Sequence, residues 1–461
     1  MSVRISRRSA MKAAGAAAFP TSLNFNLEAA SARQWPLVEG PDTPKICLAP
    51  GDGGGPLPAE VQTSIQGGRG GPAPAPAERG GGNAQYGGTL APRAEAAQPA
   101  AGVGRGVGGN QTAAYQRIQQ LGVNHLLGVG IGGNPWTVEA VRRTVEAAKA
   151  AGMVAYNSMI NVPASVIYNR ETRAKDMEPF LASIEAAGKG GLAVVEYNWY
   201  AHRATEGYYE RVGRANAGYT EFDYDLELLV NESGGVVQGI QRDEDGKITP
   251  ETVAANPNAR RVKLRDLPPL ANEGAHNLNE MWANITYFLK AAIPVAEKYD
   301  VRLALHPNDP PAPVSRGSQQ IMGTVEGWKR LISIVNSPAN GITFDCGVAT
   351  EMGSNAVEAA EYFASRKRIN HMHYRNVRVV KPYERYTELF IDAGQCDMFG
   401  VMKAIVKNKY TGTIYPEHPR ALDYDRDRGR IGGYPGGGGY AGIAFSVAYT
   451  RAMIQAAMMS V

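Results

Sequence analysis

Eight short apolar runs recur along the chain, each bounded by turn residues and most of them separated by segments of helical pattern. They are Ile46–Ala49, His125–Gly130, Val154–Met159, Ala193–Asn198, Arg302–His306, Ile342–Cys346, Asn370–Tyr374 and Thr413–Pro416. Between them, Val138–Ala151 has an alanine-rich helical composition and stops at Gly152. Leu278–Tyr299 sets Met281, Ile285, Phe288, Leu289, Ala292 and Ala296 on one stripe, as a 3.6-residue period demands. Thr324 is placed to cap a helix over Val325–Val335, and Asp397–Lys407 and Ala441–Met458 also read as helices. Strands alternating with helices imply a parallel sheet with helices outside. Eight such units predict a closed α/β barrel, (β/α)8, rather than an open doubly wound sheet. The absence of a dinucleotide fingerprint after the first run points the same way.

Two stretches break the rhythm. Residues 51–112 are rich in Gly, Pro and Ala, too poor in apolar surface to offset their ordering entropy, and are expected to form a flexible loop. Their glycines lead to no Gly-Lys-Ser/Thr ending, so they are not a phosphate-binding loop. Residues 204–276 read as an insertion after the fourth strand: a cap over the barrel mouth, or a surface excursion without an active role. Residues 36–461 are otherwise expected to form one catalytic domain.

Composition adds little to this. The chain has 461 residues, 44% of them hydrophobic and 20% charged, with a formal net charge of +4. No basic run interleaved with aromatics calls for nucleic acid. The three cysteines, Cys47, Cys346 and Cys396, argue against a disulfide framework. At the N-terminus, Arg7-Arg8 precedes a short, weakly apolar stretch, and Ala30-Ser31-Ala32 offers a small-residue cleavage site. That pattern predicts a twin-arginine export signal over residues 1–35, and so an extracytoplasmic, periplasmic protein. No segment reaches the ~20 apolar residues needed to span a bilayer.

Barrel enzymes carry their chemistry at the C-terminal ends of the strands. Here those ends hold Tyr197-Asn198, His306 to Pro311, Asp345-Cys346, His371 to Asn376, and Glu417-His418. Four of the chain's seven histidines fall in this set. Imidazole, thiolate and carboxylate together suit a divalent transition metal such as Mn, Fe or Zn. His371 and His373 share one face of their strand, so either one could ligate while the other stands beside it. Arg375 could form a salt bridge at the rim, or offer a forked cation to a carboxylate substrate. Tyr434 and Tyr440 lie in a glycine-rich loop that could close over a ligand or be a flexible surface turn.

Several segments resemble the mannonate dehydratase family: Asn284–Ala296 (NITYFLKAAIPVA), His306–Pro311 (HPNDPP), Gly341–Gly347 (GITFDCG), His373–Val377 (HYRNV), Asp397–Ile405 (DMFGVMKAI), Pro416–His418 (PEH), and Gly433-Tyr434 with Gly442 to Ala444. The resemblance implies a xylose-isomerase-like TIM barrel. It implies dehydration of D-mannonate to 2-keto-3-deoxy-D-gluconate with Mn(II) or Fe(II), the small-molecule partner being a sugar acid. It further implies His306, Cys346, His373 and Glu417 as metal ligands, and His418 and Tyr434 as the acid–base pair. Asn198, Asp309, Arg375 and Asn376 are the candidate substrate-binding residues, and a homo-oligomer is expected. The chain departs from the family at Glu417, where the family has aspartate, at Asn308, and at Gly439, where the family has arginine. The alternatives are an isomerase or epimerase of the same barrel group acting on a neutral sugar, and a non-catalytic sugar-acid binder.

Overall fold

A computed structural model describes residues 39–54, 109–270, 273–427 and 434–461. The export signal expected over 1–35 lies outside the described residues, as do residues 55–108 of the low-complexity tract. Everything below belongs to the unit Pro41–Val461.

One parallel sheet of nine strand segments organises the chain. In order of neighbours it runs Val154–Ala155, His125–Leu126, Lys45–Leu48, Thr413–Tyr415, Ile369–His373, Asn340–Asp345, Arg302–Leu305, Val194–Tyr197 and Asn157–Met159. The first and last are consecutive halves of one run interrupted at Tyr156, so the order begins and ends on the same run and the sheet nearly closes into an eight-unit barrel. Each strand lies within one of the eight predicted runs, apart from a residue or two at the ends. Val194–Tyr197 and Asn340–Asp345 are buried at every position, as strands covered on both faces must be. Outside them, the helix Leu278–Lys298 buries its predicted stripe and starts from a capping box of Asn277 with Glu280. Thr324 caps the helix Val325–Ile334 as predicted, accepting from the Gly327 amide.

One boundary differs with consequences for the site. The strand Asn340–Asp345 ends before Cys346, which opens a short helix, Cys346–Glu351. Asp345 causes the change: its Oδ1 accepts from the Val348 amide at 2.9 Å and caps the first turn.

The insertion at 204–276 is half of a second sheet. Tyr208–Val212 pairs with Gly218–Asp223, which pairs with Arg385–Glu388, which pairs with Val377–Lys381, all antiparallel. Glu227–Val230 and Arg260–Lys263 form a further pair. This sheet has its own apolar cluster, including Tyr208, Phe222, Leu228, Leu264, Val377 and Tyr386. Across its middle, buried Glu221 accepts from Arg211 at 2.8 Å, Arg385 at 2.9 Å and Thr387 at 3.1 Å. Among the described residues, no helix is long and apolar enough to cross a membrane.

Candidate metal centre and active site

The C-terminal ends of four barrel strands bring His306, Asp345, His373 and Glu417 together, with one ligand atom of each within 4.8 Å of the others and all four buried. The hydrogen bonds fix which nitrogens are available. His306 Nδ1 lies 2.8 Å from the Pro307 carbonyl, which can only accept, so Nδ1 carries the proton and Nε2 is bare. That Nε2 faces His373 Nδ1 at 3.1 Å. Burial, reinforced by His373, holds His306 down at about 3, so it is neutral at ordinary pH. His373 Nδ1 also lies 2.9 Å from Glu417 Oε1. Burial alone would lower His373, but Glu417 outweighs it and lifts the imidazole to about 9. A single proton on His373 Nδ1 is therefore shared between a carboxylate and a bare imidazole nitrogen. Two imidazoles and two carboxylates so gathered are a donor set that could hold a divalent cation in place of that proton.

Cys346 does not join this set. Strand alternation points Thr343 and Asp345 to one side and Phe344 to the other, and the chain turns helical at Cys346. The thiol donates to the Arg375 carbonyl at 3.3 Å. Its hydrogen is taken by that carbonyl, its pKa is pushed up by burial, and its sulfur lies outside the cluster formed by His306, Asp345, His373 and Glu417. The oxygen donor of Asp345 takes the place the sequence suggested for sulfur.

Arg375 is a hub rather than an open fork. Its Nε lies 3.0 Å from Asp345 and 3.2 Å from Glu417, and its Nη1 lies 2.6 Å from Glu351 and 3.5 Å from Glu388. Nη2 is 3.6 Å from Asp309, and the side chain is 2% exposed. Its role is to orient the carboxylates of the donor set. Gly347 allows this, since a Cβ there would sit 2.8 Å from Arg375 Cγ. Asn376, expected at the substrate, is spent on backbone: its amide nitrogen reaches the carbonyls of Ile391 and Cys396, and its oxygen accepts from the amides of Val377 and Cys396. Asp309 is buried and accepts from Tyr208 at 2.7 Å and Arg203 at 3.2 Å. Asn198 is half-buried, its amide nitrogen near Met159 Sδ and its oxygen accepting from Tyr200 at 3.1 Å.

His418 and Tyr434 do come together. Their ring centroids are 4.7 Å apart, so they stand side by side rather than across a ligand from one another. Both oxygens of Glu388, from the cap sheet, lie 3.1 Å from His418 Nδ1. Nε2 is left facing Glu417 at 3.6 Å. Burial opposes the charge on His418, but Glu388 and Glu417 outweigh it and raise its pKa. His418 sits at φ +48°, in the left-handed region, on the turn that carries it past Glu417. One pleat below the donor set, Glu196 accepts from Asn157 at 3.0 Å and Thr343 at 2.7 Å, and groups with His371 and His373. His371 Nδ1 lies 2.8 Å from Thr413 Oγ1, while Nε2 of both histidines is buried without a hydrogen bond.

The model of the family D-mannonate dehydratase (UxuA) matches residues 103–460. The chain belongs to the D-mannonate dehydratase family. It is 28% identical over 340 residues to the mannonate dehydratase of Thermotoga petrophila, covering 70% of this chain and 90% of that protein. It is 27% identical over 304 residues to that of Streptococcus equi subsp. zooepidemicus, covering 64% and 78%. The crystal structure of mannonate dehydratase from Streptococcus suis serotype 2 superposes with a TM-score of 0.58 at 24% identity, over 75% of this chain and 91% of that one, and shares the fold.

For a D-mannonate dehydratase family member, sequence reasoning singled out His306, His373, Glu417, His418 and Tyr434, which the structure gathers at one mouth. It passed over Asp345 as a donor, Glu196 beneath His373, and Glu351 and Glu388 around Arg375. The alternation Ile342, Thr343, Phe344, Asp345 was the available signal for Asp345. Glu351 and Glu388 gave none, because they reach the site from a helix and from the cap.

Proposed function

We propose that this protein is a metal-dependent hydro-lyase that converts D-mannonate to 2-keto-3-deoxy-D-gluconate. The observation that carries the reading is the juxtaposition of a buried His-Asp-His-Glu donor set with His418 and Tyr434, in a chain of this family. His306, Asp345, His373 and Glu417 would hold the ion, and the absence of thiolate suits Mn(II) or Fe(II). When bound, such an ion stabilises negative charge developing on the substrate beside its carboxylate.

The residues divide the proton transfers. Glu388 holds His418 through Nδ1, which leaves Nε2 to take the proton from C2. Burial raises the Tyr434 phenol, so it remains protonated and can only donate. It gives its proton to the departing C3 hydroxyl, which leaves as water. The electrons of the C2–H bond form the C2–C3 double bond as the C3–O bond breaks, and the enol then tautomerises to the 2-keto product. Because the two rings lie side by side, both events are served from one side of the substrate. Arg7-Arg8 supports the further reading that the enzyme is exported by the twin-arginine route, which carries folded proteins.

The test is D-mannonate turnover by chelator-stripped protein resupplied with Mn(II) or Fe(II). A 2-keto-3-deoxy acid that forms only with metal, and not in His418→Ala, is expected. Tight metal binding without turnover of D-mannonate would overturn the substrate assignment and bring neutral sugars forward.

A further inference from the structure

Asp309, Asp345, Glu351, Glu388 and Glu417 all gather around Arg375 and take up its charge, so a sugar acid calls for a further cation at the mouth. The sequence pointed to Arg375, but its Nε and Nη1 are held by buried carboxylates, and its Nη2, though without a hydrogen bond, lies 3.6 Å from Asp309 in a side chain only 2% exposed. Arg420 is 1% exposed, with its nitrogens on Thr220, Glu388 and the His418 carbonyl. Arg316 is held by His202 and Glu206.

Arg203 differs from all three. It follows the barrel strand Val194–Tyr197 and lies at the mouth, with its side chain 22% exposed. Its Nε donates to the Asp309 carbonyl and its Nη2 to Asp309 Oδ2 at 3.2 Å. Nη1 has no protein partner among the described residues. The guanidinium carbon is 5.7 Å from the Tyr434 ring centroid and 5.9 Å from that of Tyr200. Tyr434 is also the ring that packs on His418, so Arg203 and the proton-transfer pair are one side chain apart. Asp309 does not use up this cation, because it is shared with Arg375 and the Tyr208 hydroxyl. The tyrosine contacts shield the guanidinium from water, which strengthens an ion pair made at its open edge.

Resting on the dehydratase reading, we propose that Arg203 binds the substrate's carboxylate and sets the preference of this site for sugar acids over neutral sugars. A planar fork with a free Nη1 beside Nη2 suits a carboxylate, and an ammonium group would reproduce only its charge.

The experiment compares the Mn(II)-loaded wild type with Arg203→Gln and Arg203→Lys, using D-mannonate as substrate and the neutral polyol D-mannitol as a competitive ligand. Arg203→Gln is expected to raise KM about 10- to 100-fold, the worth of a charge-assisted pair, with kcat changed only a few-fold. Arg203→Lys should recover part of the loss, and the D-mannitol inhibition constant should stay the same in all three proteins. An unchanged KM overturns the proposal. So does an equal weakening of D-mannitol, or a loss of Mn(II) affinity, since either assigns Arg203 a structural role. If Arg203→Gln does not fold, the Lys variant decides by the same comparison of KM with D-mannitol inhibition. Calorimetric binding of D-mannonate separates the two claims: binding that depends on Arg203 without turnover in the wild type would sink the dehydratase reading and keep this one.

Discussion

Exchanging Asp345 for Asn tests the assignment of the donor set most directly. An asparagine Oδ1 still accepts from the Val348 amide, so the cap of the helix Cys346–Glu351 survives. What disappears is one anionic donor out of four. Losing a partner that merely orients a ligand costs about 10- to 100-fold in metal affinity. Losing a charged ligand should cost at least the upper figure, about 2.8 kcal/mol at ~1.4 kcal/mol per tenfold. Cys346→Ser makes the opposite case. The serine hydroxyl can still donate to the Arg375 carbonyl, so about 1 kcal/mol of stability and less than about threefold in metal affinity are expected to change. Calorimetric titration of the stripped proteins with Mn(II) measures both. The Co(II)-loaded wild type should show no thiolate-to-metal charge-transfer band. A weakening of about 100-fold in Cys346→Ser while Asp345→Asn still binds like the wild type, or a thiolate band, would refute the reasoning.

Four further outcomes are expected. Glu196→Gln keeps its contacts to Asn157 and Thr343 but removes the charge beneath His373; metal affinity should fall about tenfold, read by chelator competition. Asn376→Ala strands the buried carbonyls of Ile391 and Cys396 and the amides of Val377 and Cys396, and should cost about 2–4 kcal/mol by denaturant unfolding. Glu221→Gln should cost about 2 kcal/mol, discounted because Arg211 and Arg385 are half exposed. Burial raises the Glu221 carboxyl, but the two arginines outweigh it and leave it below its ordinary value of 4.5. Its stabilising contribution is therefore present above about pH 4.5 and lost as pH falls through the lower folded value, so the stability gap between wild type and variant should close in acid. Replacing Arg7 and Arg8 together with Lys should keep the protein in the cytoplasm; fractionation showing unchanged export would remove the twin-arginine reading.

The barrel was legible because its strands are buried on both faces and bounded by turn residues, so each stands out as a short apolar run. The stripe of Leu278–Lys298 was legible for a different reason: only one face of the helix is buried, so its apolar residues recur at the helical period. Cys346 was misread through its residue type: a thiol among histidines and a carboxylate suits a metal, but the two-residue period puts it on the face opposite Thr343 and Asp345, and the cap at Asp345 turns the chain helical there. Arg375 and Asn376 were misread for a different reason. Their residue types suit a substrate, but what they do depends on neighbours such as Glu351, Glu388 and Cys396, and local pattern says nothing of those meetings. The cap was half visible, since Tyr208–Val212 and Gly218–Asp223 read as an interruption while their partner strands follow the seventh barrel strand.

That divided sheet governs when the protein can become an enzyme. Gly218–Asp223 pairs early with Tyr208–Val212 but cannot find its second neighbour until Arg385–Glu388 has been synthesised, and closing so long a loop is slow relative to local folding. Glu388 reaches His418 only after that pairing, and Glu417 arrives only with the last barrel strand. A growing chain, or one cut short before Thr413–Tyr415, therefore has no complete cradle for an ion. An ion held by His306, Asp345, His373 and Glu417 would be acquired late in maturation, once the last barrel strand is in place, while the Glu388–His418 pair waits on the cap sheet.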